Sequence, residues 1–81
     1  MLKMKKEKEN NDVVYYYAYP SSSEMAYYFS VNKKTGEIKL LDEPNELKEN
    51  FGSMYRSHGF GMLFEMFKNN DYPETKTRIW Y

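Results

Sequence analysis

Along the chain, apolar side chains recur first at every second position, then at every third or fourth, then briefly at every second again. The run Asp12 to Tyr19 (DVVYYYAY) is β-branched and aromatic, and Pro20 with Ser21, Ser22 and Ser23 stops it, as expected of a strand entering a turn. Met25 to Val31 (MAYYFSV) repeats the pattern, with Met25, Tyr27, Phe29 and Val31 on one face and Ala26, Tyr28 and Ser30 on the other. The polar stretch Asn32-Lys33-Lys34-Thr35-Gly36 ends in a residue suited to positive φ, the chemistry of a hairpin turn closing on a bulge. Glu37 to Leu41 then alternates, with Ile38 and Leu40 directed inward. These three runs predict an antiparallel meander.

The period changes after Pro44. Asp42 and Asn45 offer capping oxygens, proline suits a first helical turn, and Leu47, Phe51, Met54, Tyr55 and His58 follow at spacings of three and four. This predicts a helix over about residues 45–57. Gly59 stands where a left-handed cap would end it, and Phe60, Leu63, Phe64 and Phe67 continue the period to Asn69 and Asn70, giving one kinked helix or two. The tail Lys76 to Tyr81 has strand composition and would return to the sheet, burying Ile79 or Trp80 according to register. The expected class is α+β in the order β-β-β-α-(α)-β, with the helical layer on one sheet face. Residues 1–11, dense in lysine and glutamate, are expected to be a flexible charged arm, and residues 12–81 one domain.

Composition narrows the function. Nothing near the start is apolar enough for a secretory signal or a membrane anchor, so no membrane partner and a cytoplasmic location are expected. A chain of 81 residues buries only roughly 60% of the surface its unfolded form exposes, too little for a deep, water-excluding active site. No cysteine is present, which removes disulfides, thiolate nucleophiles and the common zinc ligand sets. One histidine and no calcium-type series of acids imply no metal, and no sequence feature implies a cofactor. Gly59-Phe60-Gly61 lacks the third small residue of a dinucleotide loop, because Phe64 stands in its place. The acids Asp42, Glu43, Glu46 and Glu49 sit at the predicted helix start, where they suit the helix dipole. His58 beside Ser57 does not make a nucleophile and base, since neighbours on a helix diverge by about 100°. A small ribonuclease built on His58 with Arg56 is retained only as a distant alternative to a non-enzymatic role.

Nine tyrosines and five phenylalanines exceed what a small core takes up. Alternation sends some of Tyr15, Tyr16, Tyr17, Tyr19 and Tyr28 to the sheet face away from the helices, where they either pair across strands or contact a partner. With Lys33 and Lys34 at the hairpin tip, they form the expected partner-binding set. Positive and negative side chains balance at twelve each, so no global field draws in a polyanion. An aromatic centre with a mixed polar rim suits a protein partner best. Abundant lysine, asparagine and tyrosine with little alanine suit an AT-rich source. Size and composition together suit an inhibitor or immunity-type protein of a phage or mobile element, acting on a host protein. The alternative is single-stranded nucleic acid stacked on the tyrosines, with cations drawn from Lys3, Lys5, Lys6, Lys8, Lys33, Lys34, Lys76 and Arg78. A homodimer formed by pairing of exposed aromatic strands is also open.

Overall fold

The computed structural model describes residues 1–80. Its elements are β1 (Leu2–Glu9), β2 (Val13–Pro20), β3 (Tyr27–Asn32), β4 (Ile38–Asp42), α1 (Asn45–Phe51), α2 (Met54–Asn69) and β5 (Thr75–Arg78). The strands form one antiparallel sheet in the order β4-β3-β2-β1-β5. Both helices pack on one face of it, an α+β fold with the expected meander, helices and returning strand.

The segment expected to be a charged arm is instead β1, hydrogen-bonded to β2 on one side and to β5 on the other. Leu2 and Met4 are fully buried while Lys3 between them and Lys5 after them are exposed. The two apolar positions carry the period of two, and long lysine stems can lie along apolar surface with their ammonium groups in water. Counting those lysines simply as polar hides the strand.

The inner sheet face supplies Leu2, Met4, Val14, Tyr16, Ala18, Tyr27, Phe29 and Val31 to the core, and the helices supply Leu47, Met62, Leu63 and Met66. Ile38 and Leu40 pack against this cluster, as their alternation predicts. Met25, expected on the same face, lies before β3 and is exposed. Turn chemistry holds the strands in place. The Asn10 side-chain oxygen accepts hydrogen bonds from the Asp12 and Val13 amides, both at 2.8 Å, closing β1 onto β2. Asn32 does the same for Lys34 and Thr35, and Gly36 takes φ +80° as the β3–β4 loop closes.

The helical layer breaks at Gly52, not Gly59. Gly52 adopts φ +59° between α1 and α2, whereas Gly59 is buried inside α2 against the Phe29 ring. The absence of a side chain at Gly59 lets the ring approach the helix, which is packing chemistry and not capping chemistry. No side chain caps α1, whose N-cap is Pro44. Glu43 instead accepts two hydrogen bonds from Arg56, at 3.0 and 2.9 Å. Ile79 and Trp80 both lie beyond β5, Ile79 exposed and Trp80 packed on α2. Among the described residues no helix is long and apolar enough to cross a membrane.

Candidate binding face

One side of the sheet carries the helices, and among the described residues the other carries no layer. Alternation along β2 directs Val14, Tyr16, Ala18 and Pro20 inward and leaves Val13, Tyr15, Tyr17 and Tyr19 half-buried on the open face. In β3, Tyr28 joins them directly opposite Tyr17. Four rings thus form a continuous cluster. Tyr17 lies 4.7 Å from Tyr28 and 6.4 Å from Tyr19 between ring centres, and Tyr15 stacks on Tyr28 at 5.9 Å and 20°. Such distances are typical of favourable aromatic pairs.

Four of the five tyrosines expected to bind a partner are therefore brought together, and one is not. Tyr16 is fully buried, and its hydroxyl donates to the Pro73 carbonyl at 2.6 Å. In a run of three tyrosines, composition alone does not say which faces inward, but the register of β2 does. Lys33 and Lys34 also stand apart from the cluster. Lys33 pairs with Glu9 at 2.7 Å and Lys34 with Asp12 at 2.9 Å, so the turns bind each other through them.

The cations beside the tyrosines come from β1. Lys3, Lys5 and Lys8 stand opposite Tyr19, Tyr17 and Tyr15 respectively. A bulge at Glu7 keeps the third pair in step, since without it Lys8 would turn to the inner face. The ammonium of Lys8 lies 4.7 Å from the centre of the Tyr15 ring and that of Lys5 5.9 Å from Tyr19, within cation–π range. Among the described residues none of these three lysines has a carboxylate within ion-pair distance. Lys6, by contrast, is paired with Glu9 and Glu74, and Lys39 with Glu37.

Glu7 is the carboxylate within this row, and it accepts a hydrogen bond from the Tyr28 hydroxyl. Burial first, and then that bond, push the Tyr28 hydroxyl well above the usual phenol range, so it remains a donor to Glu7 at every physiological pH. Shallow depressions of about 370 Å³ beside Lys3, Lys5 and Tyr19, and about 210 Å³ beside Val13, Tyr15 and Lys39, flank the ring cluster.

His58 and Arg56 do not share a site. His58 lies within α2, stacked on Trp80 at 3.7 Å and 14° between ring planes, while Arg56 is held by Glu43. Neither aromatic strand is at an edge of the sheet, so β2 and β3 present no free backbone edge for strand pairing. No family model, curated protein or solved structure matches the chain.

Proposed function

We propose that this chain is a small non-catalytic binding domain whose contact surface is the open sheet face and whose partner presents negative charge to it. The observation that supports this is the row of Lys3, Lys5 and Lys8, unpaired among the described residues, standing beside four clustered tyrosines. Lys6, Lys33, Lys34 and Lys39 are matched by acids, so the balanced net charge conceals a row of unmatched lysines on the open face. Rigid, half-buried tyrosines add contact area at small entropic cost. An inhibitor aimed at an acidic surface of a host protein would use the same face.

Heparin, a polyanion without bases, tests this reading at about 50 mM salt. The protein is expected to be retained despite zero net charge, the K3E/K5E variant to flow through, and the K48E/K68E variant, with the same net charge but altered only on the helices, to be retained. Flow-through of the unmodified protein, or equal loss in both variants, would overturn it.

A further inference from the structure

Resting on that reading, we propose that the anionic partner is single-stranded nucleic acid, laid along β1 and β2 with its backbone over the lysines and its bases over the tyrosines. Backbone register sets Lys3, Lys5 and Lys8 opposite Tyr19, Tyr17 and Tyr15 along the same two strands, and the ammonium groups of Lys5 and Lys8 lie over the Tyr19 and Tyr15 rings. Same-face residues on a strand recur about every 7 Å, a step that an extended polynucleotide can follow. A single strand of RNA or DNA repeats in the same manner, one phosphate and one base per unit. An acidic protein surface has no reason to alternate charge and flat apolar area at a fixed step.

Two further features fit this occupant. Tyr28 widens the aromatic platform on the β3 side, where it is stacked with Tyr15 and packed on Tyr17, so a base has more than one ring to cover. On the other side of β1, β5 presents Thr75 and Thr77 to the open face, opposite Lys5 and Lys3, hydroxyls that suit phosphate or sugar oxygens. Glu7 also lies within the lysine row and offsets one of its charges, while its carboxylate accepts from the Tyr28 hydroxyl. Duplex bases expose no ring face to tyrosine, so a duplex would be held by the lysines alone and more weakly.

Fluorescence anisotropy with labelled single strands of RNA and of DNA, about ten nucleotides long, and with the corresponding DNA duplex, tests the proposal on the full chain. Micromolar or tighter binding of one or both single strands is expected, with the duplex weaker. Three phosphate contacts imply a log–log salt slope of about −2, hence roughly a 20-fold loss between about 50 and 200 mM salt. Tyr17→Leu, which keeps apolar cover over the sheet but removes the ring, should weaken binding about 5- to 100-fold, whereas Tyr17→Phe should bind nearly as well as the parent. Circular dichroism of both variants establishes that they are folded, and Tyr19→Leu provides a second ring removal at the end of the cluster.

Retention on heparin without binding to either single strand would overturn the nucleic-acid inference and leave an acidic protein as the occupant. Loss of heparin retention would overturn both. Equal affinity for duplex and single strand, or an unchanged affinity in a folded Tyr17→Leu protein, would remove the stacking on which the inference stands. The RNA and DNA arms tell which sugar the face prefers.

Discussion

Two buried tyrosines use their hydroxyls in opposite ways. Tyr16 donates to the Pro73 carbonyl and so ties the loop before β5 to the middle of the sheet, while the Tyr27 hydroxyl is buried without a hydrogen-bond partner among the described residues. Burial raises both phenols above their ordinary range. Tyr16→Phe should therefore lower stability by about 1 kcal/mol, because it orphans a carbonyl. Tyr27→Phe should be neutral or gain up to about 1 kcal/mol, because it removes a desolvated group that nothing repays. Urea midpoints of the two variants check the contrast.

Glu9 belongs to the same scale. Its hydrogen bonds to Lys33 and then Lys6 hold its carboxyl below the ordinary value of 4.5, and the one from Lys33 joins β1 to the β3–β4 turn. A carboxylate depressed in the folded state adds stability above its unfolded pKa and loses that contribution as pH falls through the folded one. Glu9→Gln should thus cost under about 1 kcal/mol at neutral pH, given its partial exposure. Urea unfolding should show that difference vanish by about pH 2.

Among the elements, α2 depends on a residue that helix propensity disfavours. A Cβ at Gly59 would lie 2.8 Å from Cζ of Phe29, and Phe29 is itself fully buried and set edge-on to Phe60 at 5.3 Å. Gly59→Ala should therefore lower stability by about 1–3 kcal/mol through overpacking, although propensity alone would predict a gain of up to about 1 kcal/mol. A lower thermal midpoint of this variant is the expected result. The sequence made β2, β3, β4 and the helical layer legible because their apolar periods are unbroken. It hid β1, whose period rests on Leu2 and Met4 among lysines and glutamates. It also pointed to Gly59 as the break in the helical pattern, whereas the break is at Gly52, and the difference rests on what each backbone meets in three dimensions. Gly59 meets Phe29, while nothing lies within 4 Å of a Cβ at Gly52.

At the scale of the whole molecule, one helical layer on a five-stranded sheet leaves a second face bare, and that asymmetry makes a surface site available. Its aromatic half was legible, since alternation requires some tyrosines to face away from the helices. Its cationic half was not, because Lys3, Lys5 and Lys8 align only once β1 is paired with β2 and bulged at Glu7. Balanced composition thus says little about local charge.

The pairing of β1 with β5 also has a consequence in time. Leu2 lies opposite Arg78, so residues from the two ends of nearly the whole described chain must meet before the sheet is complete. On a ribosome, β1 emerges before β2 and can join it early, but its other edge stays bare until β5 has been made. Contacts so distant in sequence form slowly, and an open strand edge invites foreign strands. The lysines that line β1 would then guard the growing chain, their mutual repulsion discouraging a second nascent copy from docking where β5 belongs.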